Sequence, residues 1–208
     1  MRNRIVKSVC LLALCLPMLA LAQEEQRRGR GKGTVEFTAS GGIKIMDSRL
    51  QDFLSSGPVA NRFTTNTEPA RVMPGVSLRL GYNFSRQWGF SIGGEGARGS
   101  GITYLTPLAA LTFTPDLNAR TSPFISIGSQ ATRIIGMNGR FTHPTWGAHV
   151  GLGVRQMWKP NMAFRIEGRI ATEHYAELPA AKAAYPAFIT LGLSYLLGGP
   201  RPVVHQVP

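Results

Sequence analysis

Residues 75–90 read GVSLRLGYNFSRQWGF. Val76, Leu78, Leu80, Tyr82 and Phe84 fall on one parity, and Ser77, Arg79, Gly81 and Asn83 on the other. After Ser85, Arg86 and Gln87 the contrast resumes, with Trp88, Phe90 and Ile92 against Gly89, Ser91, Gly93 and Glu95. A period of two marks a β-strand with unlike faces, and so short a polar break marks a hairpin. Alternation alone also suits a soluble sandwich, so the content of the polar parity has to decide. A sheet face in bulk water usually carries long charged side chains. Here glycine and serine dominate, with single charges, which is what the crowded interior of an eight-strand barrel can hold. The apolar parity is then the outside, facing lipid.

Working outward, the same pattern recurs. In residues 34–45, Val35, Phe37, Ala39, Ile43 and Ile45 oppose Glu36, Thr38, Ser40, Gly42 and Lys44. Residues 102–114 form a less regular fourth strand, in which Pro107, unable to donate to a ladder, is expected to mark a bulge or an irregular start. Strands are expected at 122–134, at 146–158 with Ala148, Val150, Leu152 and Val154 outward, from 162 to about 173, and at 187–197. The connections alternate: 85–87, 115–121 and 159–161 are short, whereas 47–74, 97–101, 136–145 and 174–186 are longer. Short periplasmic turns, longer external loops and an even strand number are the habit of outer-membrane barrels. The fold class expected is all-β: an eight-stranded antiparallel up-and-down transmembrane β-barrel over 34–198. Ten aromatics near strand ends, Tyr82, Phe84, Trp88, Phe124, Trp146, Trp158, Phe164, Tyr185, Phe188 and Tyr195, are read as interfacial girdles.

The chain opens MRNRIVK, continues with an apolar run from Val9 to Leu21, and reaches Ala20-Leu21-Ala22 before Gln23. Basic, apolar and A-x-A segments in that order read as a signal peptide over 1–22, with maturation at Gln23 and export to the outer membrane. Residues 23–33 (QEEQRRGRGKG) are a flexible basic leader, and 199–208 a periplasmic tail. Both cysteines, Cys10 and Cys15, lie in the signal segment, so no disulfide or thiol chemistry is expected of the mature chain. Lys and Arg number 23 against 11 acids; removing Arg2, Arg4 and Lys7 leaves 20 against 11, a net of +9. In an exported protein this balance favours outer-membrane lipids and lipopolysaccharide phosphates as partners, and argues against nucleic acid. Charges or glycines interrupt every later apolar stretch, so a mature chain that crosses a membrane crosses it with strands.

The hairpin GVSLRLGYNFSRQWGF, the turn FTPDLNARTSPFISIG (113–128) and the last strand FITLGLSYLL (188–197) resemble the small outer-membrane barrels typified by the OmpA transmembrane domain. The resemblance implies an integral barrel delivered by the barrel-insertion machinery. The last strand departs from the family habit of a terminal aromatic, ending Tyr195-Leu196-Leu197. A following peptidoglycan-binding domain is not expected.

The inward charges are Glu36, Lys44, Arg79, Glu95, Arg155, Arg165, Glu167, Arg169 and Glu173, candidates for ion pairs in a plugged lumen. Glu173-His174 invites comparison with a catalytic relay, but no serine motif accompanies it and a solvated rim pair is expected instead. No nucleotide, metal or nucleophile motif appears in context, so no cofactor, no metal and no catalytic residue are expected. Loop 47–74, with Leu50, Phe53, Leu54, Val59 and Phe63, is read as a candidate contact for a surface ligand. The function expected is a non-enzymatic structural or surface-interaction role. The alternatives are a lipid A-modifying barrel enzyme and a narrow channel for small solutes or hydrophobic ligands. Oligomeric state is not encoded in any feature of the sequence.

Overall fold

Eight strands close on themselves, each paired antiparallel with its sequence neighbours and β1 with β8. They are β1 (Thr34–Ile45), β2 (Val72–Asn83), β3 (Trp88–Gly99), β4 (Ile102–Phe113), β5 (Thr121–Ile135), β6 (Thr145–Lys159), β7 (Met162–His174) and β8 (Ala187–Leu197). The structure is a computed structural model that describes residues 33–56, 70–117, 119–136, 145–159, 161–174 and 183–197, without the side chains of 53–56. The signal segment, nearly all of the leader, residues 198–208, Val59, Phe63, His143 and His205, and the side chains of Phe53 and Leu54, lie outside these.

Closure satisfies every ladder without leaving an edge, the condition for strands in hydrocarbon. The alternation sorts the side chains as the sequence implies. Leu78, Leu80, Ile127, Val150, Leu152, Ile166 and Leu191 are exposed on the outside, and the polar parity is buried inside. Among the described residues no helix is long and apolar enough to cross a membrane, which says nothing about strands.

Three expectations are corrected. Pro107 makes no bulge: the β4–β5 register is the same on both sides of it, Leu105 facing Arg133 and Leu108 facing Gln130, and only the rungs between are missing. The ring removes a donor without inserting a residue. The connection between β3 and β4 is not of medium length but consists of Ser100 and Gly101, with φ of 45° and 75°. Two positive φ angles match the twist of adjoining strands, so both strands run on almost to the turn. The segment after β1 is not all loop. It holds a helix, α1 (Ser48–Ser56), and β2 starts at Val72.

Asp47 explains the helix. Its carboxylate accepts the Arg49 backbone N–H at 3.1 Å, and its carbonyl accepts the N–H of Gln51 at 3.0 Å. That is an N-cap, which satisfies donors the first turn cannot pair internally. The same carboxylate accepts the Tyr185 N–H at 2.8 Å, tying α1 to the connection between β7 and β8.

Candidate functional site in the barrel lumen

Because inward positions recur every second residue, each strand delivers a column of side chains to the lumen. The wall at its narrowest has no room for more. An added Cβ on Gly151 would lie 2.5 Å from Ser126 Oγ and 2.9 Å from Glu167 Oε1, and one on Gly153 would run into the Phe124 ring. Small residues at these positions make space for the large charged ones opposite.

All nine charged residues singled out in the sequence point inward and are buried or nearly so. Seven form one continuous chain. Arg155 meets Glu36 at 3.1 Å, Glu36 meets Arg165 at 3.8 Å, and Arg165 meets Glu167 at 3.3 Å. Glu167 then binds Arg79 at 2.7 Å, Arg79 binds Glu95 at 3.2 Å, and Glu95 contacts Arg169. The other two pair with each other toward the loop-bearing end, Lys44 to Glu173 at 3.6 Å. Five cations face four carboxylates, so the column is close to neutral. Most of these pairs join strands that are not neighbours, such as β2 with β7 and β1 with β6, and so bridge the lumen.

Neutral groups complete the column. Ser126 donates to Glu167 at 2.9 Å, and Gln130 and Thr132 donate to Glu173 at 2.7 and 2.6 Å. Phe124 lies 4.1 Å beneath the Arg165 guanidinium, and Lys44 lies 4.4 Å over the Tyr104 ring. Ser126, Gln130 and Thr132 escaped the sequence reading because only charges were sought on the inward parity of β5. Extending the period-2 count to neutral polar residues finds them.

Apolar layers bound the column at both ends. At the loop-bearing end Met46, Leu50, Met73, Ile102, Tyr104, Ile134 and Ala184 form one buried cluster, with Leu50 contributed by α1. At the end carrying the termini Met157, Ala163 and Leu196 form another. Two cavities beside the charges hold only about 20 and 10 Å³ of water-accessible space. A cavity needs roughly 10–15 Å³ to take one water molecule, so neither is a continuous aqueous path.

Two further expectations change. Glu173 is not a solvated rim residue but fully buried, while His174, next along β7, is exposed on the opposite face. Adjacent strand residues point apart, so the pair does not assemble as a relay. Phe124 and Phe188 do not belong to a girdle, being buried in the lumen; the other eight aromatics are exposed on the outside. Among the described residues no group of His, Cys, Asp and Glu side chains is arranged to hold a metal.

A family model described as "Outer membrane protein beta-barrel domain" matches residues 8–195. Among solved structures the chain is similar to Neisserial surface protein A, at 13% identity and a TM-score of 0.56, covering 78% of this chain and 96% of that one. It is also similar to the N-terminal β-barrel domain of OprF from Pseudomonas aeruginosa, at 12% identity and a TM-score of 0.54, covering 81% and 100%. OprG from the same organism aligns at 14% identity and a TM-score of 0.50, covering 84% and 100%. At such identities the likeness is one of fold. No curated protein matches the sequence.

Proposed function

Since the chain belongs to the outer membrane protein β-barrel domain family, we propose that it serves the outer membrane as a closed, non-enzymatic barrel. Its lumen is plugged by ion pairs, and its role is structural or one of surface interaction through the connections at the loop-bearing end. The observation that carries this reading is the unbroken run of seven charged side chains from Arg155 to Arg169, bounded by apolar layers at both ends. Opposite charges packed this closely leave no wide aqueous path, and each satisfies a partner where water is scarce.

Planar-bilayer recording of the purified protein tests the plug. The expected trace shows no large steady conductance, and a stable open level at moderate voltage would overturn the proposal. Export by residues 1–22 belongs to the same reading, and intact mass of the outer-membrane form should correspond to a chain beginning at Gln23. Retention of Met1 in that fraction would contradict it. Insertion by the barrel-assembly machinery and contact of loop 47–74 with a surface ligand complete the proposal.

A further inference from the structure

We propose that Arg98 and Arg133, on the outer face of the barrel at its loop-bearing end, bind the phosphate groups of a doubly phosphorylated glycolipid of the outer leaflet. The inference rests on the outer-membrane reading above and assigns that reading a specific lipid site.

Among the described residues the outward parity of the eight strands is uncharged almost throughout. Apart from Lys159 and His174, each the last residue of its strand, the only outward residues with basic side chains are Arg98 and Arg133, both exposed. A charge facing lipid is tolerated at the interfaces and costly at the midplane, so its depth matters. Trp88 begins the same strand as Arg98, ten residues away. At about 3.3 Å per residue and a tilt of about 40°, that separation is about 25 Å along the membrane normal, the height of the apolar band. Arg98 therefore reaches the headgroups on the side opposite Trp88. Trp146 pairs with Ala131, which puts Arg133 two residues beyond an exposed interfacial aromatic.

The two arginines flank a single strand. Arg98 pairs with Thr103 of β4, and Arg133 pairs with Leu105 of the same strand. Two strand spacings separate them laterally by about 10 Å, so flexible side chains can hold two phosphates of one headgroup. Toward the midplane the wall is shallow. An added Cβ on Gly94 would meet nothing within 4 Å, and one on Gly96 would make its nearest contact at 3.9 Å. Beside the exposed Leu105 and Pro107 of β4, which face them, these glycines leave a shallow apolar trough between Ile92 and Arg98 in which an acyl chain can lie. A pair of cations above an apolar trough complements a phosphorylated lipid better than it complements a free anion.

The test is native mass spectrometry of the full chain in detergent, titrated with bisphosphorylated lipid A, monophosphorylated lipid A and inorganic phosphate. Each arginine–phosphate contact at a membrane surface is expected to change binding about fivefold. The wild type should hold the bisphosphorylated lipid about fivefold more tightly than the monophosphorylated one. The R98Q/R133Q variant should bind it about 25-fold more weakly and lose that preference, while R86Q/R120Q, at the opposite end, should match the wild type. Equal binding of both lipids by the wild type, or undiminished binding by R98Q/R133Q, overturns the site. Inorganic phosphate binding as tightly as the lipid overturns the lipid assignment. Unboiled electrophoretic migration reads the barrel separately. A wild type without a compact heat-modifiable form defeats the outer-membrane reading, whereas a compact barrel without phosphate preference defeats only this inference.

Discussion

Glu167 stands at the middle of the run of seven charges, accepting from Arg79 at 2.7 Å, Ser126 at 2.9 Å and Arg165 at 3.3 Å while only 2% exposed. Removing one member of a buried ionic group leaves its partners charged and unpaired, at a cost of about 3–5 kcal/mol. Glu167→Gln should therefore lower barrel stability on that scale, read as the urea midpoint of unfolding from lipid vesicles. The R79M/E167M double variant should lose less than the single one, because Glu95 keeps Arg169 and Arg165 keeps Glu36. A single variant with an unchanged midpoint would show that the column stores no such coupling. The sequence already disclosed that each of the nine charges points inward, since parity is a local property. It did not disclose the partners. Arg79 and Glu167 lie 88 positions apart on β2 and β7, and their meeting depends on closure of the whole sheet.

Elements were legible where their physics is local. The strands from β4 to β8 begin and end within a residue or so of the alternation, whereas β2 starts four residues before Val76, its first apolar position in that pattern, and β3 ends seven after Ile92, its last. In both cases proline or glycine interrupts the apolar parity, at Pro74 and at Gly94 and Gly96, without interrupting the ladder to the facing strand. The helix α1 was missed because its nine residues are too few for the i, i+3, i+4 spacing of Leu50, Phe53 and Leu54 to stand out as a helical period beside the cap Asp47. That cap makes a prediction. Asp47→Ala removes both the acceptor for the first turn and the tie to Tyr185, and should cost about 1–2 kcal/mol locally. Limited proteolysis of intact vesicles should then cut the β1–β2 connection several-fold faster while leaving the urea midpoint of the barrel almost unmoved. Equal cleavage of variant and wild type would show that the cap and its tie to Tyr185 do not seat the helix.

For the whole molecule, two opposite environments are separated by one strand thickness: lipid-facing aliphatics outside and a nearly neutral set of ions inside. A soluble sandwich built from the same strands would put its aliphatics in contact with one another, but here Leu78 and Ile127, on different strands, are 66% and 63% exposed. Burial in a bilayer is what satisfies them, at about 25 cal/mol per Å² removed from water. The aromatic positions then fix the depth. Trp88 and Trp158 stand at the end of the barrel that carries the short turns and Trp146 at the other, all three exposed. In vesicles of lipids brominated at defined depths, tryptophan emission should be quenched strongly by bromine near the headgroup and weakly by bromine near the chain terminus. The reverse order would place the tryptophans at the midplane, and with them Arg98 would lose its place among the headgroups. Replacing Trp146 by Phe should remove the part of the emission that comes from the loop-bearing side and leave Trp88 and Trp158 reporting the other. In vesicles where the barrel inserts in one orientation, a membrane-impermeant quencher added outside should then dim the wild type and spare W146F. Quenching of both alike would mean that the two ends of the barrel are not separated by the bilayer.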